Sequence, residues 1–314
     1  MLQSLGFPVV CLAPIEAKRR LWIDIRLRDG DGYLGDTLTR PIIAKAADKR
    51  WQDALERGKT VFNHPNHDEP NLLRLRAFEE KGSRLILDVE PTWFWTLLGT
   101  NMQLRAGRWP GVDLMTAAER EDISNLAESR LANCLAVNLV ILSADDPPMV
   151  LIQQRGEGSA VAFTPYQISA AGFVDRTDLA ADPADVVTNA AIREAYEETG
   201  LTITAESISW LALGRDTWSY GIGIACYCTI DANARGLSPK PTKDQFEVKG
   251  FEWWEFTPTS IMERWSSLGY WYSMVPQGAF ALLTTLAHRY GEHDVLAAWR
   301  ASGSIGAFPK QAHQ

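Results

Sequence analysis

The 314-residue chain has few cysteines and no long uninterrupted apolar run. Its four cysteines are too few and too scattered for a secreted disulfide framework, so we expect a reducing, cytoplasmic location. Cys226 and Cys228 alternate within a strand-like run and are expected to be buried. The moderately apolar residues 5–14 follow no basic segment and are interrupted by Pro8 and Pro14, which makes them a poor signal peptide. No segment has the length and hydropathy of a membrane span.

A dense stretch of lysine and arginine is also missing. The chain has 31 Lys+Arg against 39 Asp+Glu, a net charge of −8, and phosphate backbones are held mainly by clustered positive charge. We therefore predict no nucleic-acid partner and no membrane partner. The usual glycine-rich loops that cradle phosphate are absent from the sequence as well. A small polyanionic ligand is compatible with this composition if a cation mediates its binding.

What is present is a globular composition, 46% hydrophobic and 22% charged, in a length that predicts about two domains. Residues 1–130 mix strand and helix signals, including a β-hairpin signal at 72–89 and a helix at 117–132. Short strands separated by polar turns dominate residues 131–314. We predict an α+β fold, in which 1–130 form an N-terminal α+β domain or layer and 131–314 form an αβα sandwich with a mixed sheet.

One segment carries most of the chemical information, a helix predicted over 183–199. An Asp-Pro pair suits its start, and Gly200 suits the left-handed residue that ends a helix. At 100° per residue Glu194, Glu197 and Glu198 share one side, where they continue a small apolar stripe. Like charges at these spacings repel. A divalent cation would turn that repulsion into affinity, because Mg²⁺ prefers oxygen ligands.

Residues 193–201, Arg-Glu-Ala-Tyr-Glu-Glu-Thr-Gly-Leu, resemble the core of the Nudix box, Arg-Glu-aliphatic-x-Glu-Glu-x-Gly-aliphatic. With five fixed polar or glycine positions, a chance match in a chain this long is on the order of one in ten thousand. The resemblance implies the Nudix form of the αβα sandwich. It also implies metal-dependent cleavage of a nucleoside diphosphate linked to another group.

The same resemblance implies roles for individual residues. Arg193 would orient the glutamates, and Glu194 or Glu247 would take the proton from an attacking water. Glu247 lies six residues before Trp253, where many Nudix proteins supply a further glutamate, although an ordinary strand-edge glutamate is the alternative. The groups implied to hold Mg²⁺ or Mn²⁺ are Glu194, Glu197, Glu198 and the backbone carbonyl of Ala171 or Gly172.

The start of the box departs from the family spacing. An outer acid normally follows the first glycine by six residues, whereas Asp185 follows Gly172 by thirteen. We interpret 176–181 as part of a loop insertion. Asp185 is then doubtful as a metal-site participant, and N-capping is its favoured role.

Other residues have both a functional and a structural interpretation. Arg155 ends a probable strand and could reach a phosphate or a sugar, with a surface salt bridge as the alternative. The segment 64–69 contains two histidines but has no partner cluster, so a solvated loop is favoured over substrate contact. Trp93 and Trp95 could stack on a base or sugar, although packing between layers is favoured.

The N-terminal half is weakly similar to that of the UDP-sugar diphosphatases of the Nudix superfamily, where an aromatic segment also ends in Gly-Thr-Asn, here Gly99-Thr100-Asn101. We therefore predict a hydrolase of phosphorus-containing anhydrides that cleaves a UDP-sugar to UMP and sugar 1-phosphate. ADP-ribose or another ADP-sugar is the alternative substrate. A non-catalytic Nudix-fold sensor or interaction module is the alternative of another class. The predicted partner is a small nucleotide substrate.

Overall fold

The computed structural model describes residues 7–14, 22–27, 42, 45–49, 52, 56, 70–82, 84–105, 114–126, 129–156, 164–179, 186–243, 247–269 and 273–303. The histidine-containing segment 64–69, Asp185 and the start of the helix predicted over 183–199 lie outside these residues. Within the described ranges, no helix has the length and apolar character needed to cross a membrane.

Strands make up most of the regular structure. In chain order they are β1 (Val9–Pro14), β2 (Trp22–Leu27), β3 (Leu72–Lys81), β4 (Arg84–Thr92), β5 (Leu135–Leu142), β6 (Met149–Arg155), β7 (Tyr166–Ile168), β8 (Ala170–Phe173), β9 (Ser209–Asp216), β10 (Ile222–Thr229) and β11 (Val248–Glu255). The helices are α1 (Phe94–Gly99), α2 (Asn101–Arg105), α3 (Ala117–Glu121), α4 (Val186–Thr199), α5 (Pro258–Ser267), α6 (Pro276–Tyr290) and α7 (Glu292–Ala301).

Among the described residues, eight strands form one mixed sheet in the order β1-β9-β10-β5-β6-β11, with β7 beside β6 and β8 beside β5. β5 lies in the middle, parallel to β10 and antiparallel to β6 and β8. Its side chains alternate between two cores, with Leu139 on one face and Val140 on the other. Apart from Asn138 the side chains of β5 are apolar, which is typical of a strand that is covered on both faces.

Helices cover both faces of the large sheet. On one face, α4 packs Val187 and Ala191 into a core that also contains β5 and the small sheet β2-β4-β3. On the other face, α5, α6 and α7 bury Trp265, Phe280 and Trp299 against the sheet. The structure therefore confirms the α+β class, the αβα sandwich with a mixed sheet and the additional N-terminal α+β layer.

The first strand of the chain belongs to the large sheet rather than to the small one. β1 pairs antiparallel with β9, so that Val9 lies opposite Asp216. Residues from the N-terminal part therefore contribute to both sheets. The division into domains at residue 130 stays a prediction.

The helix predicted over 117–132 is shorter than expected. It starts with a capping box, in which the N–H of Glu119 donates to Thr116 Oγ1 and the N–H of Thr116 donates to the Glu119 carboxylate, both at 3.1 Å. It ends at Glu121, because Asp122 is extended and its carboxylate accepts hydrogen bonds from the N–H and hydroxyl of Ser124 at 2.9 and 2.6 Å. This local bonding competes with helix, so the prediction is wrong over 122–126, and it is wrong over 129–132 as well.

Candidate active site

The glutamate-bearing helix α4 ends where the sequence predicts. Gly200 has φ +69°, and its N–H donates to the Tyr196 carbonyl at 2.9 Å, which is a left-handed C-terminal cap. A Cβ at this position would lie 2.6 Å from the carbonyl oxygen of Lys240. Both the conformation and the space therefore require glycine, and the helix end is fixed by a single residue.

Strand β8 lies directly against the glutamate side of α4. The N–H of Ala171 donates to Glu198 Oε2 at 2.8 Å. The carboxylate of Glu194 occupies the space that a Cβ of Gly172 would need. The structure thus brings Ala171 and Gly172 together with two of the three predicted glutamates, and it explains the glycine as a position where no side chain fits.

Arg193 is the centre of the hydrogen-bond network on this side of the helix. Its Nε and Nη2 donate to Asp178 Oδ1 and Oδ2 at 2.8 and 3.0 Å, and Nη2 also donates to the Phe173 carbonyl at 3.0 Å. Its Nη1 donates to Glu194 Oε1 at 2.7 Å and to Glu197 Oε2 at 3.3 Å. The two hydrogen bonds to Asp178 hold the plane of the guanidinium in one orientation. In that orientation Nη1 points at Glu194 and Glu197.

Sequence reasoning missed Asp178. It lies in a short 3₁₀ helix, Arg176–Leu179, and is buried, with its Oδ2 also accepting the N–H of Asp175 at 2.8 Å. It follows Gly172 by six residues, the spacing at which an outer acid was sought. This spacing was overlooked because 176–181 were interpreted as part of a loop insertion. The structure corrects that interpretation, since this segment supplies the acid that holds Arg193.

The glutamates carry negative charge in a confined space. Burial raises the pKa of Glu194 to about 7, and Glu197 and Asp178 add to the effect although Arg193 opposes it. Burial also raises the pKa of Glu198 well above its usual value, and the charge of Glu194 contributes. Arg193 behaves oppositely: burial alone would lower its pKa, but its bonds to Asp178 and the charge of Glu194 raise it. One guanidinium therefore does not neutralise the carboxylates around it.

Arg155 and Glu247 lie beside this cluster. Arg155 ends β6 opposite Val248 of β11, and the N–H of Gly156 donates to the Glu247 carbonyl at 2.7 Å. Burial lowers the pKa of Arg155, against the opposing charges of Glu247 and Glu198. All the residues predicted for the site thus lie around one end of the β8–α4 pair.

The carboxylates do not form a metal-ligand set in this arrangement. Among the described residues, no group of three or more acidic, histidine or cysteine side chains is placed to hold a metal ion. The reason is that Arg193 contacts Glu194 and Glu197, and Lys243 Nζ contacts Glu197 Oε1 at 3.0 Å. By donor chemistry the residues still fit a divalent cation, since hard carboxylate oxygens are crowded together.

The remaining candidates are structural. Trp93 is 6% exposed, which agrees with packing between layers, and Trp95 packs at the edge of the core formed by α1 and α2. Cys226 and Cys228 are buried free thiols, as predicted, and burial raises the pKa of Cys228 to about 12. Thr100 and Asn101 are buried, and both side chains accept the N–H of Ala132.

Neither a protein-family model nor a curated protein matches the chain. Solved structures similar to it include a MutT/nudix family protein from Enterococcus faecalis, with 21% identity over 45% of this chain and 51% of that chain and a TM-score of 0.31. The NUDIX domain of Shewanella oneidensis NrtR, complexed with ADP ribose, has 20% identity over 45% and 84% and a TM-score of 0.31. A T. brucei MERS1–RNA complex has 15% identity over 48% and 52% and a TM-score of 0.29.

The chain thus spans about half of the Enterococcus and T. brucei proteins. With identities at or below 21% and TM-scores near 0.3, a family assignment rests on the residues of the site rather than on these likenesses. The expectation that this chain binds no nucleic acid stays a prediction.

Proposed function

We propose that the chain is a Nudix hydrolase that uses Mg²⁺ or Mn²⁺ to cleave the diphosphate bond of a nucleoside diphosphate derivative. The single observation that carries the proposal is the network in which Asp178 holds Arg193 against Glu194 and Glu197, while Glu198 of the same helix accepts the N–H of Ala171 on β8. It brings an excess of carboxylate oxygens to one place, and a divalent cation is the partner that such an excess fits best.

The substrate chemistry follows from the needs of a diphosphate. Its oxygens carry negative charge that repels a nucleophile, and the leaving phosphate carries further charge. When bound, a divalent cation would offset the charge on these oxygens and lower the pKa of a coordinated water. The groups that would hold it are Glu194, Glu197, Glu198 and the carbonyl of Ala171 or Gly172.

The other steps belong to the chain itself. The water oxygen forms a bond to one phosphorus, the bond from that phosphorus to the bridging oxygen breaks, and the water proton passes to a carboxylate. Glu247 is the first candidate for this base, and Glu194 is the second. Arg155, which is half-buried and whose pKa is lowered by burial against the opposing charges of Glu247 and Glu198, is the candidate contact to a substrate oxygen.

The order of candidate substrates rests on sequence resemblance. A UDP-sugar, cleaved to UMP and sugar 1-phosphate, comes first, and ADP-ribose comes second. The Gly99-Thr100-Asn101 segment that prompted this order has a structural use here, since Asn101 Nδ2 donates to the carbonyl of Ser219 at 2.9 Å and joins the N-terminal layer to the large sheet. Its side chains therefore give no support of their own to either substrate.

A panel of nucleotide sugars tests the proposal. With Mg²⁺ present, we expect phosphate release in a phosphatase-coupled assay, loss of turnover with EDTA, and a fall of about 100-fold or more for Glu198→Gln. Glu263→Gln, an exposed glutamate of α5, is the matched control and should keep full turnover. Products formed from UDP-glucose and ADP-ribose in ¹⁸O-labelled water identify both the substrate and the attacked phosphorus.

A second measurement separates the enzyme from a ligand sensor. Mg²⁺ should raise the melting temperature of the wild-type chain and of Glu263→Gln, and should raise that of Glu198→Gln less. Undiminished turnover in Glu198→Gln would overturn the site. If nucleotides of the panel bind and none is hydrolysed, the proposed enzyme is wrong and the chain is a ligand sensor.

A further inference from the structure

An open groove runs beside the glutamate site, between strand β11 and residues 237–241. Its volume is about 400 Å³, within the roughly 300–1,000 Å³ typical of small-molecule sites. Its described walls combine aliphatic and proline side chains with two lysines, Lys240 and Lys249, and two aromatic rings, Phe251 and Trp253. None of these described walls carries a carboxylate, in a chain whose net charge is −8.

The two aromatic residues stand on the face of β11 that looks toward α4. Phe251 and Trp253 are two residues apart, are only half-buried, and pack against the core that contains α4. Trp254, the next residue after Trp253, lies on the other face, is 5% exposed and donates from Nε1 to Glu252 at 2.8 Å. The strand thus uses one tryptophan to fill the core and leaves the other partly open to the groove.

The opposite wall of the groove is attached to the glutamate helix. The N–H groups of Lys240 and Thr242 donate to the carbonyls of Thr199 and Glu197 at 2.8 and 2.9 Å. Thr242 Oγ1 also donates to the Tyr196 carbonyl at 3.0 Å. The wall is therefore fixed relative to Glu197, and the opposite strand, β11, begins directly after Glu247. The segment that contains Lys240 and the start of β11 therefore border both the groove and the proposed site.

We propose that this groove receives the nucleobase of the substrate, which stacks on Trp253 beside Phe251, while Lys240 and Lys249 attract the phosphates. This inference rests on the proposed function for the class of substrate. It adds a binding site for the nucleobase, the part of the substrate that does not react. A planar base suits half-open aromatic faces. Sugar hydroxyls would need a denser set of hydrogen-bonding side chains than these described walls offer.

Binding without turnover tests the groove separately from the chemistry. We would titrate the full chain, in EDTA, with UMP, AMP, glucose 1-phosphate and ribose 5-phosphate by calorimetry. Trp253→Leu should weaken binding of at least one nucleoside monophosphate by about 5- to 100-fold, the range for loss of a base–aromatic stack. The sugar phosphates should be unaffected by this substitution.

The matched control is Trp210→Leu. Trp210 is also a half-buried tryptophan packed on the same core, but it lies on β9 and is not among the groove walls. It should leave nucleotide affinity unchanged. Lys249→Gln provides a variant on an exposed side chain that preserves the packing, and should reduce nucleotide affinity more at low salt than at high salt. Lys81→Gln at the end of β3 is its control.

The outcomes separate the groove from the proposed diphosphatase. Equal losses in Trp253→Leu and Trp210→Leu, no loss in Trp253→Leu, or no binding of either monophosphate by the wild-type chain would overturn it. A loss confined to the sugar phosphates would also overturn it, because the base would then bind elsewhere. If Trp253-dependent nucleotide binding occurs without hydrolysis in Mg²⁺, the groove stands and the proposed diphosphatase fails. If Trp253→Leu hydrolyses the substrate with an unchanged KM, the proposed diphosphatase stands and the groove fails.

Discussion

Two buried clusters of charge in this molecule are built on opposite principles. At the joint between the N-terminal layer and the large sheet, Arg215 and Glu119 form an ion pair at 3.0 Å with both side chains fully buried. The same guanidinium also donates to the Ile123 carbonyl at 2.8 Å and to Asn133 Oδ1 at 3.1 Å. Arg215 is balanced there by Glu119 and by the nearby Asp216 carboxylate, and it makes several hydrogen bonds, as a structural cluster must.

At the candidate site the balance is different. Arg193 is surrounded by Asp178, Glu194 and Glu197, and Glu198 lies next to them. This excess of negative charge is retained despite its cost. The comparison teaches that pairing, rather than burial alone, separates charge that holds the fold together from charge that we propose to bind a metal ion.

The largest expected effect is on the paired cluster. Arg215→Met should lower the free energy of unfolding by about 3–5 kcal/mol, because it leaves Glu119 buried without its opposite charge. Urea unfolding followed by fluorescence measures the loss. Combining it with Glu119→Leu should recover part of that stability, since the carboxylate that lost its ion-pair partner is then removed as well. A double variant as unstable as the single one would contradict the explanation by charge.

The next effect concerns the link between Asp178 and the glutamates. Asp178→Asn keeps the shape of the side chain but removes the charge that fixes Arg193, so kcat should fall about 10–100-fold and the Mg²⁺ concentration needed for half-maximal rate should rise. Substrate titrations at several Mg²⁺ concentrations separate these quantities. Asp231→Asn, at an exposed turn, is the control. A change in KM alone would argue against a positioning role.

A smaller effect of opposite sign is expected for the unbalanced cluster. Glu198→Gln should leave the metal-free chain as stable as the wild type or more stable, on the order of 1 kcal/mol, because one of several repelling charges is removed. Thermal unfolding in EDTA tests this. Destabilisation comparable to that of Arg215→Met would remove the distinction between the two clusters.

The smallest effect is expected at the solvent-facing end of the site. Lys243 is 58% exposed where it contacts Glu197, and exposed pairs contribute about 1 kcal/mol or less. Lys243→Gln should therefore change stability by less than that amount, and high salt should erase even this difference. Unfolding curves at low and high salt make the comparison. A larger loss would show that the pair is structural.

The parts of the molecule that follow local rules were predictable from sequence. The end of α4 needed only Gly200, and the burial of Cys226 and Cys228 needed only their place in a strand-like run. The carboxylates at 194, 197 and 198 share a side because the helical period places them there. Each of these features is decided by the residue and its near neighbours.

What was missed depends on contacts between distant residues. Asp178 is placed by a 3₁₀ turn, which has no periodic signal, and by a guanidinium fifteen residues further along the chain. The short α3 was overestimated because an aspartate–serine turn stopped a pattern that remained helical in composition. α7 was not predicted, and its helix is supported by Val295 and Trp299 packing on the core of the second face. Tertiary contacts override propensity in such segments.

The close approach of Gly172 and Glu194 constrains how this sequence can change over time. A methyl group at position 172 would overlap the Glu194 carboxylate, so a side chain at 172 fits only if the carboxylate, 22 residues further along the chain, moves away. A chain that acquired alanine at 172 would have to shorten or withdraw the acid at 194. Among relatives that keep the acid, glycine should therefore persist, and where glycine has been lost, the two substitutions should occur together. The pair forms an evolutionary unit whose reason is steric, and it does not depend on which substrate the protein uses.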